Sequence, residues 1–183
     1  ILARRPEHLE VVVGRSDVGL ADGPALLVEF GFEPGFDGDG VVERGQAEGR
    51  PVVVAHPERY DFGDADPVAT AARWRDLGAL LQVNGGSLAG LYTRQARTLA
   101  HAFLDEGLVD VVASDHHGDH RPHDPEVIDW SMREVAGPEV VERLLDAGPR
   151  SLLGSPAGNG NAAARNGDGA GRSGTGGARR ARG

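Results

Sequence analysis

Five short, nearly continuous apolar runs govern what this chain can fold into: Glu10–Val13, Ala25–Phe30, Pro51–Ala55, Leu80–Asn84 and Val109–Ser114. Runs of this kind read as strands covered on both faces. The stretches between them carry helix punctuation. Asp66-Pro67 reads as an N-cap followed by the first helical residue, with Gly78 ending that helix. Leu88, Leu91, Tyr92, Leu99 and Phe103 fall near one face of a second helix stopped by Gly107. Asp124-Pro125 opens a third, and Val140, Val141, Leu144 and Leu145 mark a last short one before Gly148-Pro149. Strand and helix in alternation predict an α/β fold with a mostly parallel sheet, open or closed into a barrel. In either form, chemistry belongs at the C-terminal ends of the strands.

The polar residues with chemical potential fall at those ends. Glu29 lies near the end of the second run. His56 follows the third, ahead of Pro57-Glu58-Arg59-Tyr60. Asn84 ends the fourth, and Asp115, His116 and His117 follow the fifth. Taken singly, each has a plainer reading. A lone His56 would be a hydrogen-bonded structural residue, and a lone Glu29 a buried ion-pair partner. Asp115 and His117 are stronger, because an Asp-x-His step places two ligand types on one side of an extended chain. Together Glu29, His56, Asp115 and His117 form a mixed carboxylate and imidazole set that suits Mn, Zn or Fe. Arg59 and Arg121 lie beside these residues, and a guanidinium can grip phosphate through two parallel hydrogen bonds. His8 and His101 read as incidental, and His120 and His123 as solvent-exposed.

Composition removes several alternatives. The 183 residues contain no cysteine, which excludes disulfides, thiolate metal sites and a cysteine-based phosphatase. The net charge is -9, and residues 155–183 carry five arginines against one acid, so the body is more acidic still. Such a body argues against general nucleic-acid binding and fits one that gathers cations. No apolar run approaches the ~20 residues that span a bilayer, so no membrane insertion is expected and the cytoplasm is the default location. Residues 1–154 read as one domain. Residues 155–183, with almost no large apolar side chain, read as a disordered tail.

Three segments carry a family resemblance. Val54-Ala55-His56-Pro57-Glu58-Arg59-Tyr60 resembles an "AHPERY" segment, Leu81-Gln82-Val83-Asn84-Gly85-Gly86-Ser87-Leu88 a "QVNxxSL" segment, and Val112 to His117 with Arg121-Pro122 an "ASDxH…RP" segment. Leu27-Val28-Glu29-Phe30 is similar to a glutamate-bearing strand of the same family. In this order and spacing the motifs resemble the PHP-superfamily tyrosine phosphatases of bacterial capsule and exopolysaccharide biosynthesis, the CpsB/CapC type. The resemblance implies a distorted (β/α) barrel of PHP type, here incomplete, and a manganese-favouring site of up to three ions, with Fe or Zn as alternatives. It implies Glu29, His56, Asp115 and His117 as metal ligands and Arg59 and Arg121 as phosphate-binding residues. It further implies hydrolysis of phosphotyrosine by metal-activated water, on a protein substrate that is typically a bacterial tyrosine kinase.

The chain also departs from that family. The family's opening His-x-His strand, and the acidic residue and histidine after it, are not among these residues, so the first part of the domain is expected to be missing. Ser16 stands where a bridging glutamate belongs, with Asp17 one residue late. This polypeptide taken alone is therefore expected to bind metal weakly and to have low activity. Two other functions stay open at this point: a PHP-type phosphoesterase acting on a small metabolite such as histidinol phosphate, and an inactive remnant that only binds a partner.

Overall fold

The computed structural model describes residues 1–117 and 125–152. The expected tail, residues 155–183, lies outside them. The chain begins with a tight turn, Pro6–Leu9, that runs directly into α1, Glu10–Val13. After a short turn at Leu20–Asp22 come β1, Leu26–Val28, and α2, Gly38–Ala47. Then follow β2, Val52–Ala55; α3, Pro67–Asp76; and β3, Leu80–Asn84. Two helices, α4 at Gly85–Leu88 and α5 at Arg94–Asp105, lead to β4 at Val111–Ala113. The remainder is helical: α6, Pro125–Val135; α7, Pro138–Glu142; a wide turn at Arg143–Ala147; and α8, Gly148–Leu152. None of the described helices is long and apolar enough to cross a membrane.

The four strands form one parallel sheet in the order β1-β2-β3-β4, which does not close. Leu26 pairs with Val52, Val53 with Leu80, and Gln82 with Val111. Each crossover contains a helix, as parallel pairing requires. Residues Ile1–Ala3 extend the sheet beyond β1: Glu29 N–H donates to Ile1 O and Ala3 N–H to Glu29 O, both at 2.8 Å. Period-two alternation assigns the two faces. Leu26, Val28, Val52, Val54, Leu81 and Val83 join the helix-covered core, where Phe30, Tyr60 and Trp74 are also buried. Leu27, Glu29, Val53, Ala55, Gln82, Val111 and Ala113 face a cavity on the other side.

Three sequence expectations need correction. Glu10–Val13 is helical, not a strand. Its buried residue, Val12, lies three after buried Leu9, while Val11 is 72% exposed; that is helical spacing. The helix expected from Leu88 to Phe103 is broken, because Gly90 takes a φ of +76° and Thr93 caps α5 by accepting from Ala96 N–H. Leu91, in the gap, is 62% exposed. The last helix does not stop at Gly148-Pro149, which instead begins α8. The cap at Asp66 is as expected: its side chain accepts from Val68 and Ala69 N–H, with Pro67 at the first position.

Candidate functional site

The sheet's C-terminal edge gathers the polar residues. Glu29 follows β1 in phase with Leu27 and so faces the cavity. His56 is out of phase with Val53 and Ala55, and strict alternation would turn it to the other face. A left-handed backbone, φ 36°, swings the chain at that residue, and His56 lines the cavity beside Glu29. Asp115, in phase with Ala113, is also left-handed, with φ 51°. Non-glycine residues in this region cost about 1–3 kcal/mol each and persist only where the surroundings hold them.

The cavity, of about 390 Å³, brings together four of the six residues singled out in sequence: Glu29, His56, Asp115 and His117. They stand as two couples. His56 Nε2 lies 3.8 Å from Glu29 Oε2, and His117 Nε2 lies 2.9 Å from Asp115 Oδ1. Arg59, the fifth, donates from Nη1 to Asp115 Oδ2 at 3.0 Å. Its guanidinium also lies over two rings, 4.8 Å from the centroid of Phe32 and 5.1 Å from that of Tyr92. Arg121, the sixth, lies outside the described residues, as do His120 and His123. Ser16 and Asp17 do not line this cavity. They follow α1 at the surface, where Asp17 pairs with Arg15 at 2.5 Å. His101 approaches Leu88 O at 3.2 Å and His8 accepts from Arg4 N–H at 3.2 Å.

Burial tunes the site. It lowers the pKa of His56 below the usual imidazole value, although the Asp115 and Glu29 carboxylates pull it the other way. A neutral imidazole is the form that can ligate a metal. His56 Nδ1 is buried with no hydrogen-bond partner. Mixed carboxylate and imidazole donors on one cavity fit a divalent cation of the manganese, iron or zinc type. Among the described residues, however, no group of three or more His, Asp and Glu comes close enough together to hold one. The shell from these residues is thus partial: Asp115 Oδ2 is occupied by Arg59 and by Asn84 Nδ2 at 3.0 Å.

Sequence reasoning passed over two residues. Phe32, 46% exposed, stacks on the His56 ring at 5.8 Å as well as under Arg59. Its position two residues beyond Phe30 and three beyond Glu29 was the available signal. Glu58, between His56 and Arg59, is 1% exposed. Burial raises its pKa from 4.5 to about 7, against hydrogen bonds from Ser87 and Asn84 that lower it. The folded state therefore binds more protons than the unfolded one between these values. Stability from this group is full below the unfolded pKa and falls as pH rises through the folded one, by about 3 kcal/mol in all. Urea midpoints at about pH 5 and about pH 8 are expected to show this decline in the native protein and to lack it in Glu58→Gln. Parallel pH profiles in the two proteins would contradict it.

Comparison with known proteins shows the family. The family profile described as capsular polysaccharide synthesis, CpsB/CapC, matches residues 6–154. A solved structure, from work on YwqE of Bacillus subtilis and CpsB of Streptococcus pneumoniae as metal-dependent tyrosine phosphatases, matches with a TM-score of 0.66 and 26% identity. The match covers 74% of this chain and 55% of that one, so the chain spans little more than half of that protein's length. Among curated proteins there is no match. With most of its length matched by this one family profile, the chain belongs to the CpsB/CapC family of capsular polysaccharide synthesis.

Proposed function

We infer that the chain carries the phosphate-handling face of a metal-dependent phosphotyrosine-protein phosphatase acting in capsule and exopolysaccharide biosynthesis. The observation that carries the reading is the shared cavity of Glu29, His56, Asp115 and His117, with Arg59 bonded to Asp115 at its side. The named activity of the similar structure supports the same class. Glu29 and His56 on one side, and Asp115 and His117 on the other, are the residues that would hold the metal, with manganese favoured over iron and zinc. A bound divalent cation supplies Lewis acidity, drawing the pKa of water toward ~7 and offsetting phosphate charge.

The chain's own residues do the rest. Arg59 presents guanidinium N–H groups to the phosphate oxygens, and the Phe32 and Tyr92 rings on which it rests fix its plane. Arg121 would add a second guanidinium. Water attacks phosphorus, the bond to the tyrosyl oxygen breaks, and inorganic phosphate and tyrosine result. These 183 residues supply no thiol nucleophile, since none is a cysteine. The substrate is a phosphotyrosine-bearing protein, a bacterial tyrosine kinase by family resemblance, and the setting is the cytoplasm.

One observation favours a non-hydrolytic alternative: the partial ligand shell among the described residues. Phosphate release from a phosphotyrosyl peptide and from histidinol phosphate, with and without added manganese, separates these readings. Metal-dependent release from the peptide in excess over histidinol phosphate is expected. Preference for histidinol phosphate would move the assignment to small metabolites. A folded protein that holds no metal and releases no phosphate from either would leave only binding.

A further inference from the structure

Glu58 is the only carboxylate among the described residues that the fold buries this completely. It sits on the Pro57–Arg59 turn between two residues of the site. Its Oε1 accepts two hydrogen bonds, from Asn84 N–H at 3.1 Å and from Ser87 Oγ–H at 2.7 Å. Its Oε2 has no partner. Asn84 and Ser87 are fully buried as well, so neither donor can turn to water. The Asn84 side chain carries the connection onward. Its Oδ1 accepts from Gln82 Nε2 at 2.9 Å, and its Nδ2 donates to Asp115 Oδ2 at 3.0 Å. Arg59, next to Glu58 in sequence, donates to that same oxygen. A closed path thus runs from the end of β2 to the end of β3, on to the end of β4, and back through Arg59.

We propose that Glu58 is a positioning residue, bracing the β2–α3 turn against the β3–α4 turn through one oxygen and so holding Asn84, Asp115 and Arg59 in register. The proposal rests on the phosphatase reading for its purpose and on the hydrogen bonds alone for its geometry. Because one oxygen takes both bonds, the brace needs an acceptor and not a negative charge. A glutamine places a carbonyl oxygen at the same reach. Alanine leaves Asn84 N–H and Ser87 O–H unpaired where water cannot replace the acceptor, and the Asn84 side chain loses its fixed backbone.

The test compares Glu58→Ala and Glu58→Gln with the native chain. Val42→Ala, in the core on α2, serves as a control for general destabilisation. Loss of an outer support of this kind typically lowers activity about 10- to 100-fold. Such a fall in kcat/KM on a phosphotyrosyl peptide is expected for Glu58→Ala. Glu58→Gln is expected to stay within about threefold of native, since it keeps the acceptor. Hydrogen exchange of the Asn84 side-chain amide gives a second readout that needs no turnover. Its protection is expected to fall at least about tenfold in Glu58→Ala and to persist in Glu58→Gln.

Three results would overturn the brace: glutamine as damaging as alanine, an equal activity loss in Val42→Ala, or unchanged Asn84 protection in Glu58→Ala. If the native chain releases no phosphate from the peptide, the phosphatase reading fails. The exchange comparison then decides the brace by itself.

Discussion

Replacing Arg50 with leucine is expected to free the loop between α1 and β1 and to remove a large part of the protein's stability. Arg50 is 8% exposed and serves backbone carbonyls only. Its Nε donates to Pro24 O at 2.7 Å, and Nη1 donates to Val12 O, Val13 O and Arg15 O at 3.0–3.1 Å. Nη2 donates to Val18 O. One planar fork therefore ties down the whole loop between α1 and β1. Each buried acceptor left without a donor costs about 1–3 kcal/mol. The Val12 bond is buried and the others partly so. Water recovers some of the loss, leaving an expected destabilisation of roughly 3–4 kcal/mol. Against a typical total of 5–15 kcal/mol this is severe. Lysine at the same position recovers little, since its point charge cannot reach several carbonyls in a plane. Urea unfolding gives the magnitude, and hydrogen exchange shows whether protection is lost first in residues 14–25. A change below about 1 kcal/mol would mean that the loop is held by its apolar contacts instead.

The second large effect concerns chemistry. Arg59→Ala is expected to lower kcat/KM on a phosphotyrosyl peptide by about 10²- to 10³-fold, the usual penalty for removing one preorganised donor to developing charge. Arg59→Lys should do nearly as badly. An ammonium cannot offer two parallel N–H groups, and it cannot lie flat between Phe32 and Tyr92 as the guanidinium does. Stability should fall as well, by about 1–3 kcal/mol, because the ion pair with Asp115 is mostly buried, with 18% and 12% of the two side chains exposed, and a charged hydrogen bond is lost there. Kinetics at saturating metal, together with a melting curve, check both halves of the statement. A lysine variant that keeps more than about a third of native kcat/KM would remove Arg59 from the phosphate site.

The strands were legible because their signals were local and strong. Leu80–Asn84 forms β3 to the residue, and β2 differs from its sequence run only by Pro51. The rule for parallel sheets directs attention to the strand ends, where Glu29, His56 and Asp115 line the cavity. The failures have separate causes. In Glu10–Val13 the valines suggested a strand, but these residues have no sheet neighbour and continue a turn opened by Pro6. Helix α2 was silent in the sequence because it contains three glycines, all of which permit close packing. A Cβ at Gly38 would sit 2.7 Å from the Trp74 ring, and one at Gly45 would overlap the Val52 side chain. Such contacts between distant segments leave no local pattern. Glu58 was hidden for a related reason: its burial depends on Asn84 and Ser87, supplied by another strand and helix.

The left-handed residues at His56 and Asp115 have a consequence for how this protein would respond to selection. Glycine adopts that backbone freely, so His56→Gly or Asp115→Gly would relieve local torsional strain while deleting a donor group. A library screened for heat tolerance alone should therefore drift toward glycine at the ends of β2 and β4, emptying the pocket as the scaffold hardens. Screens that also demand function should retain both side chains and find their thermal gains elsewhere.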